Sequence, residues 1–506
     1  MYFNDWLSRR CLYTPEQIAV VDAIDGRRIS YRDLNRRACA IARWLGREAE
    51  VSAGDRAACL SANRLEYLDL FFACGKLGAI LVPLNFRLPE PALLELVEDC
   101  QPRCLVADAP WHALGSSCQV KGLVQRVIDI GEGGLGSIAE RQDEQELPIR
   151  QAGIEEIAMI LYTSGTTGRS KGAMVSWRQI HWNAVNTTIG LQLTQGDSSF
   201  LNTPLYHTGG WHVLFTPLMH LGGRVVLQKQ FDAASCNDLI TRERITILFG
   251  IPTTLRMMME APNFNEADFS SLRFAICGGE PCPAPVIRVY QEKGVPVRQG
   301  YGLTEAGPNC FSLPAEDAIR KEGSVGFPNF HVETRIEKED GATAGPDEVG
   351  ELLIRGPHTF SGYWNNAAAT RETLADGWVR TGDLFRRDPE GYHYVVGRKK
   401  EMFISGGENV YPAQVEKVLY RHPAIAQAAV IGVPDPRWGE VGCAFLVLRS
   451  EMETRDLADW CRGFLAGYQC PKHFVVRENL PLGHSGKIDK NALRTAAVAL
   501  TRQCKE

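Results

Sequence analysis

Residues 157–186 read IAMILYTSGTTGRSKGAMVSWRQIHWNAVN and join an apolar run, a loop rich in glycine, serine and threonine, and a segment of helical character. Such a unit suits polyphosphate, because glycines let backbone N–H groups converge, hydroxyl groups add donors and Lys171 adds positive charge. The loop lacks the G-x-x-x-x-G-K-[ST] spacing of a Walker motif. A flexible linker is the alternative reading, but the loop lies between two elements expected to be buried. The stretch therefore predicts a strand, a phosphate-binding loop and a helix.

Short apolar runs rich in valine, isoleucine and leucine recur on both sides of this stretch and alternate with longer segments of helical spacing. These runs are AACLSAN (57–63), AILVPLN (79–85), CLVAD (104–108), GRVVLQ (223–228), RITILFG (244–250) and LRFAICGG (272–279). This alternation is typical of parallel strands with crossover helices. The sequence therefore predicts an α/β fold.

The pattern changes in the last third of the chain. Residues 333–387 hold short strands separated by turn residues, as in GELLIRGP, which predicts an antiparallel β subdomain. A charged cluster follows at 398–401, and beyond it lies a unit of about 100 residues, a normal size for one small domain. A chain of 506 residues exceeds what one hydrophobic core usually serves. We therefore expect an N-terminal domain at 1–397 and a C-terminal domain at 402–506.

Composition excludes several classes of protein. The chain is 44% hydrophobic and 23% charged with a net charge of −5, which disfavours a disordered chain and a nucleic-acid partner. The apolar region Leu68–Leu84 is interrupted by Lys76 and two glycines, so no membrane span is expected. The N-terminus has no apolar signal stretch and the C-terminal residues form no targeting motif, which predicts a cytoplasmic protein. The oligomeric state is open, and a homodimer is compatible with the sequence.

Fifteen cysteines are present without any Cys-x-x-Cys motif. Cys100 and Cys104, and Cys277 and Cys282, are close in sequence but have no histidine partners at zinc spacing. We therefore expect reduced cysteines that act as small apolar residues, with no disulfide framework and no structural metal.

The string TSGTTGRSKG at 163–172 resembles the phosphate-loop signature of the adenylate-forming (ANL) superfamily, which includes acyl-CoA synthetases, amino-acid adenylation domains and beetle luciferases. Further motifs of that family follow in order as far as Lys487, and ISYRDLNRRACAIARWL at 29–45 fits it as well. The resemblance implies a large N-terminal domain of α/β subdomains plus a β subdomain, with a small mobile α+β C-terminal domain.

The resemblance also implies how ATP is bound. CGGEP (277–281) and QGYGLTEAG (299–307) resemble the segments that hold adenine and the α-phosphate, with Tyr301 stacking on the base and Thr304 contacting the phosphate. Glu305 matches the magnesium ligand, and Asp383 of RTGDLF matches the residue that accepts both ribose hydroxyls. The full set implied for ATP is Thr163, Ser164, Gly165, Thr166, Thr167, Gly168, Lys171, Gly279, Glu280, Pro281, Gly300, Tyr301, Gly302, Asp383 and Arg398.

The segment PLYHTGGW (204–211) resembles the family segment beside the substrate carboxylate, where His207 is the matching side chain. A structural histidine is the alternative for His207, and a core tryptophan is the alternative for Trp211 as a wall of the acyl pocket. The residues implied for the acid pocket are His207, Gly209, Gly210, Trp211, Gly278 and Gly300. The small residues of these segments predict an elongated, uncharged pocket for a medium-chain fatty acid or an arylpropenoic acid; they are Gly209, Gly210, Gly278, Gly279 and Gly300.

The C-terminal motifs concern the second half-reaction. GGEN, which comprises Gly406, Gly407, Glu408 and Asn409, resembles the loop that lines the pantetheine tunnel of acyl-CoA synthetases. Lys400 matches the pivot of a hinge at 398–401, and Lys487 matches the lysine that reaches the active site for adenylation. The sequence departs from the family pattern in PLGHSGK before that lysine, in Trp177 where many relatives have histidine, and in Ser170 where proline is frequent.

Together these motifs imply an ATP-dependent carboxylic acid–CoA ligase that converts acid, ATP and CoA into acyl-CoA, AMP and pyrophosphate through acyl-AMP. ATP and CoA are the expected co-substrates and Mg²⁺ the expected metal. The implied catalytic residues are Lys487, Thr304, Glu305 and His207. Three alternatives remain: an enzyme that loads the phosphopantetheine of a carrier protein, a non-catalytic nucleotide-binding regulator, and a light-emitting oxidase.

Overall fold

The structure is a computed structural model that describes residues 3–141, 150, 152–163, 170–280, 282–450, 452, 454–483 and 488–503. The chain divides into two compact units. The first comprises Met1–Thr334 with Ile354–Arg380, and the second comprises Arg335–Leu353 with Thr381–Glu506. The predicted hinge at 398–401 lies within the second unit, and its function as a pivot stays a prediction.

The first part of the chain alternates strands and helices. Its elements are α1 (Trp6–Tyr13), β1 (Ile18–Asp22), β2 (Arg28–Ser30), α2 (Tyr31–Glu48), β3 (Arg56–Leu60), α3 (Leu65–Leu77), β4 (Ile80–Pro83), α4 (Glu90–Cys100), β5 (Cys104–Ala107), α5 (His112–Val120), β6 (Arg126–Asp129) and α6 (Leu135–Ala139).

The alternation continues up to β13, after which strands β14 to β16 follow, and short helical turns lie at Gly209–Val213, Thr304–Ala306 and Ala315–Asp317. The elements are β7 (Ile157–Thr163), β8 (Lys171–Ser176), α7 (Trp177–Leu191), β9 (Ser198–Leu201), α8 (Phe215–Leu221), β10 (Arg224–Leu227), α9 (Ala233–Glu243), β11 (Ile247–Gly250), α10 (Pro252–Glu260), β12 (Phe274–Cys277), α11 (Ala284–Glu292), β13 (Val297–Leu303), β14 (Gly307–Ser312), β15 (Ser324–Pro328) and β16 (Glu333–Glu337).

Strands dominate the remainder. The elements are β17 (Gly350–Arg355), α12 (Ala367–Thr373), β18 (Leu374–Ala375), β19 (Trp378–Arg387), β20 (His393–Arg398), β21 (Phe403–Ser405), β22 (Glu408–Val410), α13 (Pro412–Leu419), β23 (Ile425–Asp435), β24 (Gly439–Leu448), α14 (Thr454–Arg462), β25 (His473–Val476) and α15 (Lys490–Gln503).

Two sheets form the scaffold of the first unit. One has the order β6–β5–β3–β4–β7–β8, in which only β8 runs antiparallel to its neighbour. In the other, the order β13–β12–β11–β9–β10–β1 is parallel, and β14 and β2 add antiparallel strands at its two ends. The apolar runs quoted above form β3, β4, β5, β10, β11 and β12, so the predicted α/β fold is confirmed.

The prediction of a helix directly after the phosphate loop was wrong. Lys171–Ser176 form β8, which pairs antiparallel with β7, and Thr163 lies opposite Lys171. Helix α7 begins only at Trp177, where the Ser176 side chain accepts a hydrogen bond from the N–H of Gln179. Pairing with β7 on one side and with residues 361–364 on the other satisfies backbone groups of this segment, and its side chains are largely buried. The loop therefore joins two strands of a hairpin.

Strands β16, β17, β19 and β20, which lie largely in the second unit, are neighbours in that order, and β19 pairs antiparallel with β20. A further sheet has the order β22–β21–β24–β23, and β25 pairs with β24. Helices α13 and α15 pack against β23. This arrangement of helices and strands is the small α+β domain that the sequence predicted beyond residue 402.

Apolar side chains of the parallel strands and of α2 and α3 form the main core of the first unit. Residues 68–84, read from the sequence as a buried helix leading into a strand, are α3 and β4 and lie in that interior. Within the described ranges, no helix has the length and apolarity needed to cross a membrane. The described cysteines are free thiols, and all of them except Cys11 are buried.

Candidate active site

The ends of β7 and β8 hold the two described residues that border the phosphate loop. The hydroxyl of Thr163 lies 3.4 Å from the backbone oxygen of Lys171. The ammonium group of Lys171 lies 5.1 Å from the ring centroid of Tyr363. The loop residues that the sequence assigned to ATP, Ser164, Gly165, Thr166, Thr167 and Gly168, lie outside the described residues.

Glu305 lies in the short helical turn Thr304–Ala306, directly after β13. Its Oε1 accepts a hydrogen bond of 2.7 Å from the Tyr363 hydroxyl and lies 3.4 Å from the Thr163 hydroxyl. The backbone oxygen of Thr304 accepts a hydrogen bond of 2.8 Å from the Gln179 side chain in α7. The structure therefore brings Glu305 to the mouth of the hairpin that carries Thr163 and Lys171.

This half-buried carboxylate fits a magnesium ion. Mg²⁺ prefers hard oxygen ligands, and one or two carboxylates usually hold it together with substrate phosphates. Glu305 provides such a carboxylate next to the hairpin, and Lys171 provides a nearby positive charge for phosphate. When bound, the metal would neutralise part of the charge of ATP.

The glycine-rich segments after β12 and within β13 lie at the same edge of the parallel sheet. Gly279 and Glu280 follow β12, and Tyr301 in β13 makes an edge-on contact with Phe311 at 5.8 Å between ring centroids. Gly302 passes so close to Pro308 that an added Cβ would lie 2.2 Å from the Pro308 carbonyl group, so only glycine fits there. Pro281 lies outside the described residues.

A small recess lies at the carboxyl ends of β9 and β11, and its lining includes Gly209 and Phe249. A Cβ added at Gly209 would lie 3.9 Å from the Phe249 ring, and one added at Gly278 would lie 3.7 Å from the same ring. Gly278 also faces the backbone oxygen of Gly300. Thr203 lies next to Gly209 and also lines the recess. Ligands of open α/β sheets bind at the carboxyl ends of strands, so this recess is the candidate acid pocket.

The other residues predicted for the pocket have different surroundings. The ring of half-buried His207 contacts the ring of Tyr206 at 4.5 Å between centroids. Gly210 packs its backbone against the backbone oxygens of Thr203 and Pro204. Trp211 is fully buried against three aromatic side chains, which fits the core alternative, and its pocket role stays a prediction.

In the second unit, Asp383 and Arg398 lie opposite each other on β19 and β20. The Arg398 guanidinium donates to the Asp383 carboxylate at 2.9 Å, and the Asp383 side chain is buried. Next to them, Lys399 pairs with Glu351 at 3.1 Å. The structure thus brings together two of the predicted nucleotide-binding residues, Asp383, which is predicted to bind the ribose, and Arg398, which is predicted as a second nucleotide contact.

The GGEN segment forms a tight hairpin between β21 and β22. Gly406 and Gly407 are its two turn residues and have φ angles of +63° and +87°, as hairpin turns of two residues require. A Cβ at Gly406 would lie 2.6 Å from the Trp438 indole. Glu408 and Asn409 are exposed on the second strand, and Lys400 is exposed in the turn after β20.

Lys487 lies outside the described residues, whereas Lys490 begins α15 three positions later. The Lys490 ammonium contacts Glu401 at 2.6 Å and Glu416 at 2.9 Å. Burial disfavours this charge, but the two carboxylates raise the pKa of Lys490. The ion triad therefore fixes the start of α15 against α13 and against the end of the predicted hinge.

Family models match both parts of the chain. The model described as AMP-binding enzyme matches residues 7–364, and the model described as AMP-binding enzyme C-terminal domain matches residues 414–487.

The chain belongs to the AMP-binding enzyme family.

Similar members of the family span nearly the whole chain. A feruloyl-CoA synthase from Amycolatopsis sp. is 39% identical over 97% of this chain and 98% of its own length. An indoleacetate–CoA ligase from Aromatoleum aromaticum is 37% identical, with 98% of each chain covered. A structure of o-succinylbenzoate coenzyme A synthetase from Bacillus subtilis in complex with ATP and magnesium ion has a TM-score of 0.86 at 33% identity, covering 97% of this chain and 99% of that chain.

These matches confirm the resemblance to the adenylate-forming superfamily and its acyl-CoA synthetase branch. As a member of that branch, the protein is an AMP-forming acid–thiol ligase, with ATP and CoA as co-substrates and Mg²⁺ as the metal. The individual residue roles rest on the motifs and on the geometry described above.

Two side chains of the site were missed in the sequence. Phe249 was read only as part of a buried strand, although it stands at the carboxyl end of β11 where parallel sheets bind ligands. Tyr363 carries no sequence signal of its own, because its role depends on contacts to Glu305 and Lys171, which lie far away in the chain.

Proposed function

We propose that this acid–CoA ligase activates an aryl carboxylic acid, of the arylpropenoic or arylacetic class, and transfers its acyl group to CoA. The observation that carries the proposal is the Phe249 ring between Gly209 and Gly278. Neither glycine places a side chain against this ring, and an aromatic substrate ring packs well against another aromatic ring. The names of the similar enzymes, which concern feruloyl, indoleacetyl and succinylbenzoyl groups, support the same substrate class.

In the first half-reaction, an oxygen of the substrate carboxylate forms a bond to the α-phosphorus of ATP, and the bond to pyrophosphate breaks. Catalysis of this step depends on positioning and on charge stabilisation. Lys171 and the loop after Thr163 would hold the departing pyrophosphate, and Glu305 would hold the magnesium ion. Thr304 and Lys487 would stabilise the charge around the α-phosphate.

In the second half-reaction, the thiol sulfur of CoA bonds to the acyl carbon, AMP leaves with the bonding electrons, and the thiol proton passes to solvent. Lys487 must withdraw to give the thiol access to the mixed anhydride. We propose that rotation at Lys400 replaces it with the hairpin Gly406–Asn409, a hinge-type closure.

The first test compares acids directly. The purified enzyme is incubated with Mg²⁺, ATP and CoA and with ferulate, indole-3-acetate, octanoate or acetate, and AMP release is measured. We expect kcat/KM for at least one aryl acid to exceed that for octanoate by about 10-fold or more, because pocket contacts of this size contribute about 1–3 kcal/mol.

A preference for octanoate would contradict the aryl assignment and favour a medium-chain fatty acid. If no acid supports exchange of labelled pyrophosphate into ATP, adenylation itself is excluded.

A second prediction concerns the wall of the recess. Gly278→Val places methyl groups against Phe249, and an added Cβ alone already lies 3.7 Å from that ring. We expect KM for the preferred aryl acid to rise by about 10-fold or more, since overfilling a packed site costs about 1–3 kcal/mol. KM for ATP should stay unchanged.

The matched control is Gly467→Val, because a Cβ at the exposed Gly467 meets no atom within 4 Å. If Gly278→Val changes KM for the acid no more than Gly467→Val does, the recess is not the acid pocket.

The alternative acceptor is the phosphopantetheine of a carrier protein. The Gly406–Asn409 hairpin resembles the pantetheine-lining loop of enzymes that use free CoA, and it favours CoA. Comparison of free CoA with a phosphopantetheinylated carrier protein as acceptor decides between them. A cytoplasmic location and a homodimeric state stay predictions of the sequence.

A further inference from the structure

Tyr363 contacts the Glu305 carboxylate and the Lys171 ammonium, the two charged groups beside the predicted phosphate-binding loop. Its hydroxyl donates to Glu305 at 2.7 Å, and the ammonium group of Lys171 lies 5.1 Å from its ring centroid. Only 7% of the residue is exposed. One buried side chain therefore links the predicted metal ligand to the predicted pyrophosphate ligand.

The backbone around Tyr363 fixes this position. The N–H groups of Ser361 and Trp364 donate to the backbone oxygens of Met174 and Gly172, so the segment pairs with β8 on the side away from β7. The N–H of Phe360 donates to the backbone oxygen of Glu305 at 2.8 Å. Residues 358–364 thus join the β7–β8 hairpin to the Thr304–Ala306 turn through backbone hydrogen bonds.

The chemistry of the phenol suits a hydrogen-bond donor at this place. A tyrosine hydroxyl carries its proton at neutral pH and therefore donates to the Glu305 carboxylate, which can only accept. A donated hydrogen bond to one oxygen of a carboxylate orients the other oxygen. The aromatic face attracts the Lys171 ammonium without neutralising it, because a cation–π contact leaves the charge available to phosphate.

We propose that Tyr363 is a positioning residue for the metal and phosphate contacts of this enzyme: its hydroxyl orients Glu305 toward Mg²⁺, and its ring keeps Lys171 apart from that carboxylate. The inference rests on the proposed roles of Glu305 and Lys171 in ATP binding. It assigns a function to Tyr363 that neither its position in the sequence nor the phosphate-loop motif indicates.

Tyr363→Phe removes only the hydroxyl and keeps the ring. Equilibrium binding of α,β-methylene-ATP is measured as a function of free Mg²⁺, which needs no turnover. We expect the free Mg²⁺ concentration that gives half-maximal binding of the analogue, the Mg²⁺ midpoint, to rise about 10- to 100-fold. This is the usual effect of losing a group that orients a metal ligand. Saturating Mg²⁺ should restore most of the binding and most of the adenylation rate.

Tyr363→Leu also removes the ring. We expect it to weaken binding of the ATP analogue further, even at saturating Mg²⁺, because Lys171 can then pair with Glu305. If Tyr363→Leu and Tyr363→Phe behave alike at saturating Mg²⁺, the separating role of the ring is wrong.

The matched control is Tyr394→Phe, which removes a tyrosine–aspartate hydrogen bond of 3.2 Å to Asp388 in the second unit. This variant should bind the analogue like the unmodified enzyme. A double-mutant cycle with Glu305→Gln gives a second criterion, since residues that act through one another have non-additive effects.

An unchanged Mg²⁺ midpoint in Tyr363→Phe, or additive effects with Glu305→Gln, would overturn the orienting role. Failure of the proposed function has a different signature: the unmodified enzyme would bind the analogue with Mg²⁺ yet exchange no pyrophosphate with any acid. The two ideas are therefore tested separately.

Discussion

Lys487→Ala is expected to lower the rate of acyl-AMP formation by about 10²- to 10³-fold, the usual cost of removing one group that stabilises transition-state charge. The transfer of a preformed acyl-AMP to CoA should stay nearly unchanged. The reason is that, in the proposed mechanism, Lys487 stabilises charge at the α-phosphate during adenylation and is withdrawn before thioester formation. Pyrophosphate exchange measures the first step, and thioester formation from synthetic acyl-AMP measures the second.

The control for this experiment is Lys293→Ala. Lys293 is an exposed lysine whose ammonium group donates to the backbone oxygen of Asn265, remote from the residues discussed for catalysis. Both half-reactions should be normal in this variant. If Lys487→Ala slows both half-reactions equally, the exchange of Lys487 for the Gly406–Asn409 hairpin is wrong. If neither is slowed, Lys487 has no part in catalysis.

Arg37→Met is expected to lower the free energy of unfolding of the first unit by about 3–5 kcal/mol, because it leaves a buried carboxylate unpaired. The Arg37 guanidinium donates to Asp69 at 2.7 and 3.0 Å, and neither side chain is more than 1% exposed. The pair joins α2 to α3 inside the core. Urea denaturation followed by circular dichroism measures the loss.

The matched control for this pair is Arg386→Met, which removes a partly exposed ion pair with Asp347. Such pairs contribute less than about 1 kcal/mol. The double substitution Arg37→Met with Asp69→Leu should recover much of the loss, since no unpaired charge remains in the core. If Arg37→Met is no more harmful than Arg386→Met, the buried pair does not stabilise the fold.

The loss of unfolding free energy caused by Arg37→Met is expected to depend on pH. Burial raises the pKa of Asp69 to about 6, although the adjacent Arg37 charge acts in the opposite direction. A carboxyl group with a raised pKa in the folded state stabilises the fold at low pH, and this contribution is lost as the pH rises through the folded pKa. Without Arg37 the pKa of Asp69 rises further. The loss of unfolding free energy caused by Arg37→Met should therefore be larger near pH 8 than near pH 6.

The sequence predicted the α/β fold from runs that became β3, β4, β5, β10, β11 and β12. It could do so because buried parallel strands need continuous apolar residues, and these are visible without any tertiary information. The strand at Lys171–Ser176 was not predicted, because its own residues carry no clear strand pattern. A short segment of mixed polarity takes its structure from its partners, here β7 and residues 361–364.

The family motifs likewise located Glu305, Asp383 and the hairpin at Gly406 from sequence alone, because each is a short string whose residues are neighbours in the chain. Motifs do not reveal which distant side chains surround them. Phe249 and Tyr363 needed the fold, since strand order and the backbone hydrogen bonds of residues 358–364 bring them to Gly278 and Glu305.

The amino-acid sequence by itself determined the architecture, the family and the chemistry of adenylation, because periodic apolar runs and contiguous motifs carry that information locally. Only the tertiary structure decided which side chains contact Glu305, which ring lies beside Gly278 and which buried charges are paired. Such contacts join residues as far apart in the chain as Glu305 and Tyr363, or Arg37 and Asp69, and their energies arise only when folding removes both partners from water.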